Sequence, residues 1–193
     1  MAEGDVSKYR MVVIGGSAGS LDSILKIVAA VQETVDVAFV VVVHRGKSGD
    51  SILADLLSSQ TKLVVKEVED KELILPGTIY IAPPDYHLLL ENEYTFSLDA
   101  SEKVHYSRPS IDVTFESAAL VYGPALVGVL LSGANADGAV GLKNIADAGG
   151  FTIAQQPATA EVGYMPQQAI NLTKVSVILE GEDIGIFLRT LLK

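Results

Sequence analysis

The sequence contains no cysteine among its 193 residues. This absence excludes disulfide bonds, a thiolate nucleophile and any zinc or iron–sulfur site with cysteine ligands. It agrees with a reducing compartment, so we expect the protein to be cytoplasmic. The longest apolar run, residues 37–43, ends at His44 and is far shorter than the roughly 20 residues that a transmembrane helix needs. The first ten residues are polar and do not resemble a signal peptide, so we expect no membrane insertion.

Basic residues are scarce as well. The chain has 14 lysines and arginines against 24 acidic residues, and its formal net charge is −10. An acidic surface repels phosphate backbones, so we expect no nucleic-acid partner. The composition, 49% hydrophobic and 20% charged, is typical of a folded globular protein. The length suits one hydrophobic core, and we predict an N-terminal tail over residues 1–10 and one domain over residues 11–193.

Short runs of β-branched residues alternate with segments of helical periodicity. We predict strands over residues 10–14, 37–43, 62–68, 78–81, 125–131, 151–154 and 175–179, and helices over residues 20–33, 51–59, 111–122, 139–148 and 183–192. Residues 87–99 have the pattern of a β-hairpin, an antiparallel excursion on a parallel sheet. The alternation predicts an α/β fold with a doubly wound, mostly parallel sheet, helices on both faces and an antiparallel hairpin.

The segment Gly15-Gly16-Ser17-Ala18-Gly19 fits the G-x-S-x-G pattern between a predicted strand and a predicted helix. Glycines allow a sharp turn that presents the serine hydroxyl above the sheet edge. Free N–H groups at the start of the following helix favour a developing oxyanion. The pattern is short, so a phosphate-binding loop and a serine that caps the helix are alternatives.

Two further polar residues follow predicted buried strands. His44 comes directly after the strand at 37–43, and Asp137 lies in the loop after the strand at 125–131. The carboxyl ends of parallel strands share one edge of a sheet, so we expect both residues to lie near Ser17. There His44 would accept the serine proton and Asp137 would orient the imidazole.

Each of these residues also has a structural alternative when it is considered alone. His44 would then end a strand, and Asp137 would cap the following helix. The other histidines, His87 and His105, occupy no comparable position. The convergence of three strand ends favours a serine hydrolase. Its order Ser, His, Asp differs from the Ser, Asp, His order of α/β-hydrolases, so membership of that superfamily is not supported.

Several short motifs make the chain resemble the catalytic domain of the chemotaxis protein-glutamate methylesterase family, CheB. The motifs lie at residues 14–19, 43–44, 80–87, 108–112, 131–139 and 164–166. The resemblance implies a catalytic domain that hydrolyses glutamyl methyl esters on the cytoplasmic helices of chemoreceptors, with methanol leaving, and that deamidates receptor glutamines. It implies Ser17, His44 and Asp137 as the catalytic residues, and no metal or organic cofactor.

The chain departs from the family at three points. Ala134 stands where the family often has methionine, at a position whose backbone N–H contributes to the oxyanion hole, and alanine keeps that N–H. Ala18 replaces a hydroxyl residue of some members, and we expect both alanines at the oxyanion or substrate position. Members commonly carry an N-terminal receiver domain, whereas about ten residues precede the first predicted strand, too few for a domain. This predicts a stand-alone enzyme or an excised domain.

Two other functions stay open at this point. The first is a serine esterase or amidase that acts on a different substrate. The second is a non-catalytic module that binds a phosphate ligand through residues 15–19.

Overall fold

A computed structural model describes residues 7–32, 34, 36–46 and 50–193. Strands and helices alternate along most of this part of the chain, and a 3₁₀ turn at Gly123–Ala125 precedes the seventh strand. The elements are β1 (Met11–Gly16), α1 (Leu21–Ala30), β2 (Ala38–Val43), α2 (Asp50–Ser58), β3 (Val64–Glu67), β4 (Thr78–Ile81), β5 (His87–Glu91), β6 (Thr95–Asp99), α3 (Ile111–Tyr122), β7 (Leu126–Leu130), α4 (Ala139–Asp147), β8 (Phe151–Gln155), α5 (Tyr164–Leu172), β9 (Val177–Leu179) and α6 (Gly181–Leu191).

The main sheet confirms the predicted fold class. It has seven strands in the order β3-β4-β2-β1-β7-β8-β9, and every neighbouring pair is parallel. β1 lies between β2 and β7, so the chain proceeds from β1 in one direction and later returns to its other side. Crevices at such a switch point, outside the carboxyl ends of the strands, are the usual ligand sites of open α/β sheets.

Buried apolar residues cover both faces of this sheet. In β1, Met11 and Val13 join the cluster under α3, α4 and α5, whereas Val12 and Ile14 join the cluster under α1, α2 and α6. A strand that is apolar on both faces has no polar alternation, and for this reason the central strands β1, β2 and β7 appear in the sequence as continuous apolar runs.

The hairpin differs in one respect from its prediction. β5 and β6 form a separate two-stranded antiparallel sheet and do not extend the parallel one. This sheet packs on α3. The hydroxyl of Thr114 donates to the carbonyl of Leu88 at 2.7 Å, and the N–H of Leu90 donates to Ser117 Oγ at 3.0 Å. The hairpin therefore braces the helix whose N-terminus faces the candidate site.

Helix α5 was not predicted, because Pro166 interrupts the helical pattern. The proline lies in the first turn of α5, where its missing N–H costs no helical hydrogen bond. Helix α1 ends earlier than predicted, at Ala30, and residue 33 lies outside the described residues. Residues 1–6 of the predicted tail also lie outside them, and the division into a tail and one domain stays a prediction. None of the described helices combines the length and apolarity needed to cross a bilayer.

Candidate active site

The turn after β1 presents Ser17 at the carboxyl edge of the sheet. Its N–H donates to the carbonyl of Ser132 at 2.9 Å, which fixes the turn against the chain after β7. Its carbonyl accepts from the N–H of Ser20 at 3.1 Å and from Ser20 Oγ at 2.7 Å. Gly19 has φ +75°, and a Cβ there would lie 2.5 Å from the Cβ of Glu161. The last glycine of the motif is therefore required by both backbone conformation and space.

His44 reaches Ser17 from the neighbouring strand, because β1 and β2 are paired in parallel. Its Nδ1 lies 3.1 Å from Ser17 Oγ, and its Nε2 lies 2.7 Å from Asp137 Oδ2. The His44 side chain is 15% exposed and the Asp137 side chain is fully buried. The structure thus brings together the three residues that the sequence placed at three strand ends.

The carboxylate of Asp137 is held by the N-terminus of α3. Oδ2 accepts from the N–H of Ile111 at 2.7 Å, and Oδ1 accepts from the N–H of Asp112 and from Ser110 Oγ, both at 2.9 Å. The alternative prediction, a cap on the following helix, was wrong in its target. Gly138 is the N-cap residue of α4, and Asp137 satisfies orphan donors of α3 instead.

The environment of Asp137 keeps its carboxyl ionised. Burial opposes the charge, but hydrogen bonds from His44 and from the backbone of Asp112 and Ile111 outweigh it and lower the pKa of Asp137. An ionised carboxylate has no proton to donate, so the proton of the neutral imidazole lies on Nε2. Nδ1 is then an acceptor directed at the Ser17 hydroxyl, which is the arrangement of a general base and its nucleophile.

Asp112 forms a second cap in the reverse direction. Its Oδ1 accepts from the N–H of Gly138 at 2.9 Å and from that of Gly141 at 2.7 Å, at the start of α4. Asp137 near α4 therefore caps α3, and Asp112 in α3 caps α4. The sequence had identified Asp112 only as part of a motif, because the donors that it serves lie more than twenty residues further along the chain.

The effect of Asp112→Asn on the free energy of unfolding tests the role of Asp112 in this pair of caps. Burial, and to a lesser degree the charge of Asp137, raise the pKa of Asp112 against the hydrogen bonds from Gly141 and Gly138. A carboxyl with a raised pKa in the folded state stabilises the fold below its ordinary pKa, and this contribution is lost as the pH rises through the raised value. Asparagine keeps an acceptor oxygen without the charge. We expect the variant to be more stable than wild type at neutral pH, with the difference closing below about pH 4.

Urea denaturation at several pH values measures this difference. Asp183→Asn is the matched control, because Asp183 is exposed in the first turn of α6. An Asp112→Asn variant that is less stable than wild type at neutral pH would contradict the assignment.

The other two histidines contact residues other than Ser17. His87 is buried, its Nδ1 accepts from the N–H of Ser110 at 3.1 Å, and its Nε2 lies 2.8 Å from the carbonyl of Glu102. His87 thus holds the serine that contacts Asp137. His105 is half exposed, with Nε2 3.3 Å from Asp112 Oδ2.

The two predicted oxyanion positions lie on adjacent loops. Ala18 and Ala134 are both exposed. Ser132 joins the loops, since its hydroxyl donates to the carbonyl of Ala18 at 2.7 Å and accepts from the N–H of Val162 at 2.9 Å. Within the part of the chain that the structure describes, neither alanine N–H has a hydrogen-bond acceptor. Both donors are available to a substrate.

Comparison with known proteins gives one consistent family. The family described as CheB methylesterase matches residues 12–188. A Leptospira interrogans protein, whose name as a protein-glutamate methylesterase/protein-glutamine glutaminase is provisional, is 43% identical over 182 residues, 94% of each chain. Protein-glutamate methylesterase/protein-glutamine glutaminase 1 of Carboxydothermus hydrogenoformans is 38% identical over 175 residues, 88% of this chain and 52% of that protein.

Among solved structures, the chain is similar to the catalytic domain of the CheB methylesterase of Thermotoga maritima. The TM-score is 0.89 at 35% sequence identity, over 95% of this chain and 98% of that one. The likeness therefore extends over nearly the whole of the fold described above.

Proposed function

The chain belongs to the CheB methylesterase family, and on that premise we propose that it hydrolyses methyl esters of glutamyl side chains in chemoreceptors. Ser17 would be the nucleophile, His44 the general base and Asp137 the residue that orients the base. The observation that supports these roles is the unbroken hydrogen-bonded series from Ser17 Oγ through His44 to Asp137. It lies at the switch point of the sheet, where a substrate has access.

The reaction that follows from this geometry has two halves. Ser17 Oγ attacks the ester carbonyl while its proton passes to His44 Nδ1, 3.1 Å away. The N–H groups of Ala18 and Ala134 would stabilise the oxyanion, and Asp137 stabilises the imidazolium. His44 then protonates the departing methoxide to give methanol. Water attacks the acyl-enzyme, its proton returns through His44, and glutamate is released with the Ser17 hydroxyl restored.

We propose glutamine deamidation as a second activity of the same site. A side-chain amide presents the same carbonyl to Ser17, and His44 would protonate the departing nitrogen, so that ammonia leaves in place of methanol. The oxyanion and the imidazolium are stabilised by the same groups in both reactions.

The direct test uses purified protein and receptor membranes carrying methyl-labelled glutamyl esters. We expect release of volatile labelled methanol, and release of ammonia from receptors with glutamine at the same positions. Hydrolysis of small esters with no methanol from the labelled receptor would favour an esterase for another substrate. Reaction of Ser17 with a serine-directed phosphonate distinguishes a hydrolase from a phosphate-binding module.

A further inference from the structure

A pocket of about 500 Å³ adjoins His44 and has an unusual charge for this chain. Its lining contains three basic residues, Arg45, Lys103 and Arg108, and one acidic residue, Asp85. The whole chain, by contrast, has a formal net charge of −10. Positive charge is thus concentrated beside the candidate general base, at the place where a substrate would extend beyond the reacting group.

The two arginines of this pocket are held in fixed positions. Arg45 Nη2 lies 2.9 Å from Glu67 Oε2 and 3.1 Å from the carbonyl of Ala82. Arg108 Nη2 lies 2.7 Å from Asp85 Oδ1, and its Nη1 donates to the carbonyls of residues 100 and 101 at 3.0 and 2.8 Å. A carboxylate pairs with each guanidinium group, Glu67 with Arg45 and Asp85 with Arg108. Because these pairs offset the charge of both arginines, the net positive charge of the pocket depends on another residue.

Lys103 provides that charge. It is exposed at the pocket, and among the described residues no carboxylate pairs with it. A solvated ammonium beside two fixed guanidinium groups gives the pocket a positive potential that attracts an incoming carboxylate.

A strained turn supports the rim of the pocket next to Lys103. Val104 and Ser107 exchange backbone hydrogen bonds of 3.1 and 2.9 Å, and between them His105 and Tyr106 have φ of +48° and +62°. Two successive residues other than glycine in the left-handed region are costly, and such strain is concentrated at ligand-binding sites. Tyr106 lines the pocket and is 97% exposed. An exposed tyrosine is a typical anchor for a peptide.

A negative charge lies beside the turn that carries Ser17. Glu161 packs on Gly19, since a Cβ added to that glycine would be 2.9 Å from Glu161 Oε2. An acidic substrate residue is therefore disfavoured near Gly19 and favoured in the pocket next to His44. This charge asymmetry favours one orientation of a bound peptide in the cleft.

We propose that the pocket is a subsite for an acidic side chain of the protein substrate, close to the residue that is hydrolysed. Lys103 is its specificity-determining cation, and Tyr106 packs on the bound peptide. The subsite rests on the proposed function, because it requires a glutamyl ester within a polypeptide at Ser17. A methyl ester alone is too small to need a pocket of this size, whereas a neighbouring residue of a polypeptide would enter it.

Two peptides test the subsite. Each carries one glutamyl γ-methyl ester, flanked by glutamates in the first peptide and by alanines in the second. We expect wild type to show a kcat/KM about fivefold higher for the acidic peptide at low ionic strength. The ratio of the two kcat/KM values should fall below one in Lys103→Glu and lie between these values in Lys103→Gln. In 1 M salt the wild-type ratio should approach one, because the Debye length is then about 3 Å.

Lys62→Glu is the matched control, since it makes the same charge change at an exposed lysine before β3. Lys62 lies at the amino ends of the parallel strands, whereas the pocket lies at their carboxyl ends. It should keep the wild-type ratio. A ratio near one in wild type, an unchanged ratio in Lys103→Glu, or an equal fall in Lys62→Glu would overturn the subsite alone. Hydrolysis of neither peptide would overturn the proposed function, and the subsite with it.

Discussion

Replacing Ser17 with alanine is expected to lower kcat/KM for ester hydrolysis by about 10⁴-fold or more. The hydroxyl oxygen of Ser17 would form the acyl-enzyme, and His44 Nδ1 lies 3.1 Å from it. Among the described residues, His44 Nδ1 has no other side-chain hydrogen-bond partner. The residual rate should come from the oxyanion donors and from substrate binding. Methanol release from labelled receptor and turnover of a small ester measure the loss.

The fold should survive this substitution. Ser17 is partly buried, and its turn is held through backbone groups that alanine retains, the N–H to Ser132 and the carbonyl to Ser20. We expect a change of less than about 1 kcal/mol in the free energy of unfolding. Ser59→Ala, at an exposed serine directly after α2, is the control. A Ser17→Ala protein that folds normally and keeps a tenth of the wild-type rate would rule out Ser17 as the nucleophile.

The positions of Ser17 and His44 were predictable because they depend on short stretches of sequence. An apolar run followed at once by glycines or by a histidine marks a buried strand and its carboxyl end. Parallel pairing then places neighbouring ends at one edge, and β1 and β2 pair in that way. The sheet was predicted for the same reason, since each strand carries its own pattern of burial.

Contacts between distant segments were not predictable in this way. The orientation of the His44 ring depends on where Asp137 presents its carboxylate, which in turn depends on α3, twenty-five or more residues earlier in the chain. No local sequence pattern indicates that an aspartate beside α4 caps α3. The subsite beside His44 is another example, because it is assembled from residues 44–46, 84–85, 103 and 106–108.

Replacing Asp137 with asparagine is expected to reduce both rate and stability. Each carboxylate oxygen accepts from α3, Oδ1 from Asp112 and Ser110, and Oδ2 from Ile111. An amide must direct its NH₂ at one of these backbone donors in either orientation. If the NH₂ replaces Oδ2, it also faces His44 Nε2, and the imidazole proton must move to Nδ1, where it blocks acceptance from Ser17. We expect a fall in kcat of about 10⁴-fold and a loss of about 2 kcal/mol in unfolding free energy.

The comparison with Asp112→Asn makes the double effect of Asp137→Asn specific. Both substitutions remove one negative charge from the same pair of caps. The lowered pKa of Asp137 and the raised pKa of Asp112, however, predict changes of opposite sign in the free energy of unfolding. The stability that Asp137 provides is present above its ordinary pKa and is lost as the pH falls through the lowered value. Asp137→Asn should therefore be less stable than wild type at neutral pH, and Asp112→Asn more stable, with both differences shrinking in acid. Lost activity with unchanged stability would mean that the carboxylate serves only His44, and lost stability with full activity would mean that the imidazole needs no orienting partner.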